Sequence, residues 1–246
     1  MSPPSVSSAQ LDYTPLRLLP RYRFLSARLV HMPRIEPFEA HPEDYDDWFD
    51  RYPLVYASEL SALKLALSPD EIGEAVEVGA GTGRFAVPLG ITLGVEPSPK
   101  MAELARERGM GIVEGMAEVL PFRDGRFDTV LFVTTICFVD DVKLALREAY
   151  RVLRGGGHLV IGFIDGESPL GKLYQEKRGQ SRFYGAAQFY TAERVVGWLL
   201  KTGFEPPQMW QTIFQPLDEI SAPEPVREGA GAGSFVVLKA RKPATL

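Results

Sequence analysis

Glu74-Ala75-Val76-Glu77-Val78-Gly79-Ala80-Gly81-Thr82-Gly83-Arg84 is the stretch on which the fold of this chain turns. Val76 and Val78 are β-branched and suit a buried strand over about residues 74–79. Three glycines then allow backbone angles that other residues avoid. The pattern predicts a tight turn opening a short helix from Gly83, which Pro88 and Gly90 terminate. Such a turn brings bare backbone N–H groups towards a ligand. An ordinary glycine turn is the competing reading.

The spacing narrows the ligand. Dinucleotide sites use G-x-G-x-x-G, whose third glycine allows close helix–strand packing beside a pyrophosphate. Here Gly79, Gly81 and Gly83 make G-x-G-x-G, and Arg84 stands where the third dinucleotide glycine belongs. Glu77, just before the loop, repels a phosphate and favours a cation such as a sulfonium. Both features point away from NAD and towards S-adenosylmethionine.

Downstream, Ile91–Glu96 reads as a second strand ending in a carboxylate. Glu96 lies 17 positions beyond Gly79, near the offset at which an acid meets ribose hydroxyls in nucleotide folds. Ser98-Pro99 reads as a cap and first turn of a helix that runs to Arg108 and stops at Gly109. A short strand over 111–114 follows, then a loop over 115–122. The apolar run Phe127–Val133 suits a strand buried on both faces of a parallel sheet. The loop Thr134–Phe138 leaves that strand where ligands sit in open α/β sheets; its Cys137 reads as a buried, inert thiol. Asp140-Asp141 caps another helix, and Gly155–Gly157 turns into a fifth strand over 158–164. His158 falls at that strand's start, remote from the ligand edge.

Residues 165–187 read as irregular, yet Tyr174, Phe183, Tyr184, Phe189 and Tyr190 in or beside them are too aromatic for a plain linker. Thr191 caps a helix closed by Gly203. Strands over about 208–215 and 234–240 follow with no helix between, which predicts an antiparallel edge. The expected fold is α/β: a Rossmann-like, doubly wound, mostly parallel seven-stranded sheet with an antiparallel last strand.

Upstream, Asp44–Asp50 is acidic and aromatic, and Tyr56, Leu60, Leu63 and Leu67 recur at helical spacing. Before that, Arg17, Arg21, Arg23, Arg28 and Arg34 face a single acid, Asp12. A flexible tail, or a chain start at Met32, is favoured over a transit leader. The expected division is a tail or mis-assigned leader over 1–40 and an N-terminal helical lid over 41–72. A cofactor-binding core over 73–164 follows, then an acceptor-side lid, last helix and last two strands over 165–246.

Composition sets outer bounds. The chain has 246 residues, a formal net charge of -5 and 45% hydrophobic residues, as in an ordinary globular protein. That charge gives no strong nucleic-acid signal. No apolar run is long enough to span a membrane. One cysteine rules out an intrachain disulfide framework and fits a reducing, cytoplasmic setting. His31, His41 and His158 show no metal-ligand spacing, so no metal is expected. Oligomeric state has no signature here.

Several blocks in order resemble class I S-adenosylmethionine-dependent methyltransferases, the type-11 group that includes quinone-biosynthesis enzymes. They are Val76–Gly83, Gly94-Val95-Glu96-Pro97-Ser98, Gly115–Phe122, Arg126-Phe127-Asp128 and Arg147–Gly157. The resemblance implies that Glu77 and the loop Gly79, Ala80, Gly81, Thr82 and Gly83 hold the methionine end of the cofactor. It implies Glu96 on the ribose hydroxyls, Pro97 or Met101 beside the adenine, and Ser98 among the cofactor-binding residues. Met116, Ala117 and Glu118 would line the adenine, although many relatives have Asp where Met116 stands. Thr134 and Thr135 would lie near the transferred methyl, with Tyr45 over the cofactor. Trp48, Phe138, Phe183, Tyr184 and Tyr190 are the expected acceptor-side residues.

The expected activity is methyl transfer from S-adenosylmethionine to a small-molecule acceptor, leaving S-adenosylhomocysteine. RNA or protein methylation, and a non-catalytic cofactor-binding module, are the alternatives. Proximity does most of the work in such a displacement. Tyr45, Tyr184 and His41 are the proton-handling groups on the acceptor side, and none is assigned as catalytic.

Overall fold

The computed structural model describes residues 35–244. The arginine-rich leader and Met32 fall outside them. Three helices come first: α1 (Glu36–Ala40), α2 (Pro42–Arg51) and α3 (Pro53–Ala66). The sheet contains β1 (Ala75–Val78), β2 (Leu93–Glu96), β3 (Gly111–Glu114), β4 (Phe127–Val133) and β5 (Leu153–Ile164). β6 (Gln208–Thr212), β7 (Arg227–Glu228) and β8 (Phe235–Arg241) complete it. Helices α4 (Pro99–Glu107), α5 (Val142–Val152), α6 (Pro169–Glu176) and α7 (Ala192–Thr202) alternate with these strands.

The strand order is β3-β2-β1-β4-β5-β8-β6-β7. β1 to β5 pair in parallel, and β8 runs antiparallel to both β5 and β6. The seven expected strands are all present; the eighth is the two-residue β7, paired with Trp210 and Gln211. The last strand is not the edge. Phe235–Leu238 is fully buried and needs neighbours on both sides, whereas β6 exposes Gln208 and lies outside it, with only the short β7 beyond.

Period-two alternation divides the strands between two cores. Val130 and Phe132 of β4 face α5 and α7, while Leu131 and Val133 face the α3 side. Leu159, Ile161, Val236 and Leu238 join the first core; Val160, Phe235 and Val237 join the second. α3 packs on β6 and β8, so it covers the sheet instead of standing off it. Strand order reverses between β1 and β4, which opens a crevice beyond their carboxyl ends.

Three local expectations change. The segment after the glycine turn is a set of turns ending in a 3-10 segment, Val87–Leu89, with no regular α-helix. Pro88 lacks the N–H that a helix needs there, and Gly83 takes φ +81°. No helix dipole therefore aims at the turn. Residues 165–187, expected to be irregular, contain α6; Ser168 caps it by accepting from Gly171 N at 3.0 Å, with Pro169 at its first position. Gly155–Gly157 lie within β5, at a register irregularity opposite Phe127 and Thr129. His158 pairs with Thr129, near the start of β4 and away from the crevice.

Gly94 of β2 is where the sheet meets the glycine turn. A Cβ there would lie 2.6 Å from Ala80 Cβ and 2.8 Å from Ile112 Cδ1. Gly94→Ala should therefore lower stability by about 1–3 kcal/mol in denaturant unfolding. Gly197 of α7 has no neighbour within 4 Å of such a Cβ. Gly197→Ala should instead raise stability by about 0.5–1 kcal/mol. Equal effects at the two sites would contradict this packing.

Candidate cofactor and acceptor site

The glycine turn is built from its backbone outward. Gly79 N and Ala80 N both donate to Val95 O, at 2.8 and 3.0 Å, and hinge the turn on β2. Gly79 and Gly81 have φ +70° and +55°, angles that favour glycine. A side chain at Gly79 would strike Thr135 Cγ2 at 2.4 Å. Thr135 itself donates to Val78 O at 3.1 Å and Val133 O at 3.0 Å, and so locks the turn against the end of β4. At Gly81 the nearest atoms to such a Cβ are Met101 Cε at 3.6 Å and a Tyr45 ring carbon at 3.7 Å. Gly81 thus presents bare backbone to a cleft.

Two buried carboxyls lie under the turn. Glu96 Oε2 accepts from Gly81 N at 2.8 Å, and Oε1 accepts from Ser98 N at 2.9 Å. Burial pushes its carboxyl up to about 7, against the pull of those two N–H groups. Glu77 Oε2 accepts from Ala86 N at 3.1 Å. Burial pushes the Glu77 carboxyl well above the usual range, that hydrogen bond opposes it, and Glu96 adds repulsion. The place of Glu77 is behind the turn, holding the chain that follows.

Arg84 fastens the N-terminal helices to this turn. Asp46 of α2 receives Thr82 Oγ1 at 2.6 Å, Arg84 Nε at 3.0 Å and Arg84 Nη2 at 2.7 Å. Arg108 Nη2 donates to the same carboxylate. Arg84 also pairs with Asp50, at 2.8 Å, one helical turn on. Burial disfavours the Asp46 charge, but the hydrogen bonds from Arg84, Thr82 and Arg108 outweigh it and hold the carboxyl at about 2. Tyr56 of α3 donates to Arg84 O as well. The residue in the missing-glycine position is thus a clamp between α2, α3 and the turn, and Arg108 adds the end of α4 through the same Asp46.

Two hollows adjoin. The first is a cleft lined by Tyr45, Gly79, Gly81, Glu96, Pro97, Met101, Met116, Ala117, Glu118, Thr134, Thr135 and Phe138. Of the expected cofactor residues, Glu77, Ala80, Thr82, Gly83 and Ser98 stand outside that lining. The second is a cavity of about 1290 Å³, whose walls include Trp48, Phe183 and Tyr184. Phe38, Tyr45, Thr134 and Phe138 border both. Tyr190, an expected acceptor residue, is placed elsewhere: its ring packs on Trp198 at 4.9 Å and its hydroxyl donates to Gln188 at 2.7 Å. One register step earlier, Phe189 turns inward onto Tyr174 and Tyr184.

Several lining residues escaped the sequence reading. Phe38 lies within the expected tail, yet α1 seats on α4: Glu39 accepts from Ser98 Oγ at 2.6 Å and from Lys100 N at 3.2 Å. The Phe38 ring meets Phe138 at 4.9 Å and Tyr45 and Phe183 at 5.4 Å each. Glu59 also lines the cavity. A carboxylate between Val55 and Leu63, each four residues away on one helix face, was the available signal for Glu59.

Thr134 is a β-branched residue at φ +51°, a strained angle at the junction of the two hollows. Burial pushes the Tyr45 and Tyr184 hydroxyls far above their ordinary values, so both stay protonated near neutrality. Burial also pushes the Cys137 thiol up to about 12, which keeps it inert. His41 stands outside both linings and faces Asp44 at 3.8 Å. Glu118 lines the cleft, but its Oε1 already accepts from Asp140 N at 2.8 Å. Among the described residues no group of three or more His, Cys, Asp or Glu could hold a metal ion. No helix among them is long and apolar enough to cross a membrane.

Asp46 makes stability depend on acid pH. Its folded value of about 2 lies below its ordinary 3.8, so its contribution is complete above about pH 5 and fades as pH falls towards 2. Asp46→Asn should cost about 1–2 kcal/mol at pH 7 and flatten the loss of stability between about pH 5 and 2. Denaturant unfolding across that range checks this; an unchanged pH slope would contradict it.

A family model described as a methyltransferase domain matches residues 76–161. An uncharacterised protein of Methanocaldococcus jannaschii is 42% identical over 205 residues, which span 83% of this chain and 98% of that protein. A crystal structure from Thermotoga maritima, described as a SAM-dependent methyltransferase and possible histamine N-methyltransferase, superposes with a TM-score of 0.82. It is 48% identical, over 85% of this chain and 99% of that one. A rice 2-methyl-6-phytyl-1,4-hydroquinone methyltransferase is 37% identical over 144 residues, 53% of this chain and 38% of that enzyme. With the glycine turn, the buried Glu96 and the sheet reversal in place, the chain belongs to the class I S-adenosylmethionine-dependent methyltransferases, in their type-11 group.

Proposed function

We propose that this enzyme methylates a small molecule seated in the second cavity. The observation that carries the reading is the shared border of the two hollows at Phe38, Tyr45, Thr134 and Phe138. A donor in the first hollow and an acceptor in the second meet only there. The aromatic walls of the second, drawn from α2 and residues 174–184, suit a compact, partly apolar guest.

The cleft residues fit the cofactor. Glu96 offers a buried carboxylate suited to a vicinal diol, beside the bare backbone of Gly81. Gly79 and Gly81 would pass the methionine portion, while Pro97, Met101, Met116 and Ala117 form an apolar slot for adenine. One Glu118 oxygen is committed to the start of α5, so only the other could serve the adenine amino group. The cofactor, when bound, supplies an already activated methyl group. The chain contributes position, orientation and exclusion of water. Tyr45 and Tyr184, held protonated, can donate hydrogen bonds to the acceptor but are poor bases near neutrality.

Transfer of labelled methyl from S-adenosylmethionine into metabolite pools, with histamine in the panel, tests the reading. The expected result is a small methylated product. Transfer only to RNA or protein would overturn it.

Two cofactor predictions follow from the geometry. The Glu96 carboxyl, near 7, carries a proton at lower pH and accepts from the ribose only once ionised. Affinity for S-adenosylhomocysteine should therefore rise roughly tenfold from pH 6 to pH 8, and Glu96→Gln should abolish the rise. Gly81→Val forces a β-branched residue to a positive φ beside Tyr45 and should weaken binding about tenfold or more. Calorimetry reads both. A flat pH profile, or normal affinity in the valine variant, would contradict the assignment.

A further inference from the structure

Glu59 of α3 is the one acid lining the second cavity that is almost wholly buried, at 3% exposure. Its neighbours on the helix are engaged. Ser58 donates to Leu54 O at 2.7 Å and accepts from Glu224 N at 2.8 Å, and Tyr56 donates to Arg84 O. Glu59 has no hydrogen bond or ion pair among the described residues. It lines the cavity together with Tyr45, Tyr174 and Tyr184, and burial pushes its carboxyl up to about 8, so near neutrality it ionises fully only when a positive charge joins it. The cationic side chains on the same cavity, Arg51, Lys172, Lys177 and Arg182, are exposed. Arg182 pairs with Asp44 and Lys172 with Glu167. None of them neutralises Glu59.

A carboxyl buried in this way is disfavoured unless something compensates it. Folding alone gives no reason to keep it, because Leu or Gln would fill the space without that penalty. A guest that brings a positive charge supplies the compensation. The same walls include the aromatic side chains of Tyr45, Trp48, Tyr52 and Tyr174, a type of lining that favours a cation over an anion. An anionic guest would oppose ionisation of the carboxyl at this depth, and a neutral one would leave it protonated.

We infer that the acceptor is an amine, bound through its ammonium group to the Glu59 carboxylate within the aromatic walls of the second cavity. This rests on the small-molecule reading above and adds the substrate class and the residue that recognises it. Glu59 is a substrate-binding residue, and the atom that receives the methyl is the one the guest presents at Tyr45, Thr134 and Phe138.

The test titrates the full chain, loaded with S-adenosylhomocysteine, with three probes of similar shape: 2-phenylethylamine, 2-phenylethanol and phenylacetate. The amine should bind about tenfold or more tightly than the alcohol, and phenylacetate most weakly. Glu59→Gln should erase the amine's advantage while leaving affinity for the alcohol and for S-adenosylhomocysteine within about twofold. Retained cofactor affinity shows that the variant is folded. Thermal melting gives a second readout: removing an uncompensated buried carboxyl should leave Glu59→Gln at least as stable as the parent. Alcohol or acid binding as tightly as the amine, or an amine preference that survives Glu59→Gln, overturns the inference and leaves the small-molecule reading standing. Binding of none of the three also overturns it. That reading itself falls only if, in addition, no metabolite pool accepts a methyl group.

Discussion

The structure depends on the Asp46 carboxylate and the three side chains that converge on it. Thr82 comes from the glycine turn, Arg84 from the residue after it and Arg108 from the end of α4. One acid thereby joins the N-terminal helices to the glycine turn after β1 and to the end of α4. The pair is partly buried, with side-chain exposures of 14% for Asp46 and 18% for Arg84. It is therefore worth more than the exposed ion pairs elsewhere on the surface. Without it, α2 would lack a fixed place over the turn, and Tyr45, one residue before Asp46, would lose its position between the two hollows.

That placement organises the chemistry. The cleft takes its floor from the ends of β1, β2 and β4, and its cover from α1 and α2. The second cavity takes one wall from α2 and another from α6 and the segment after it. Thr134 stands between them in a strained conformation, held by its N–H to Gly162 O at 2.8 Å. Strain at such a junction is tolerated where the surroundings determine the backbone completely. The buried acids divide the roles by environment. Glu77 holds the chain behind the turn, Glu96 faces the cleft, and Glu59 faces the cavity.

Much of this was legible in the order of residues. The glycine turn, the acid at Glu96, the Ser98-Pro99 cap and the buried β4 run are local signals, and each forms as its own chemistry demands. Arg84 was legible as the loss of a dinucleotide glycine, but not as a clamp, because its partner lies 38 residues away. The helix expected after the turn failed on Pro88 and on the backbone of Gly83. Glu59 was hidden by a neighbouring stripe. Tyr56, Leu60, Leu63 and Leu67 keep helical spacing, whereas the face that α3 buries is Val55, Ser58, Glu59, Ala62, Leu63 and Ala66. Phe189 and not Tyr190 packs on Tyr174 and Tyr184, a difference of one residue of register that no local pattern decides.

Hydrogen exchange of the full chain, with and without S-adenosylhomocysteine, tests the central claim that α2 and the glycine turn act as one unit around the cofactor. The account predicts that binding slows exchange together in residues 79–87 and in α2. Slowing confined to the turn, with α2 exchanging at its free rate, would contradict it.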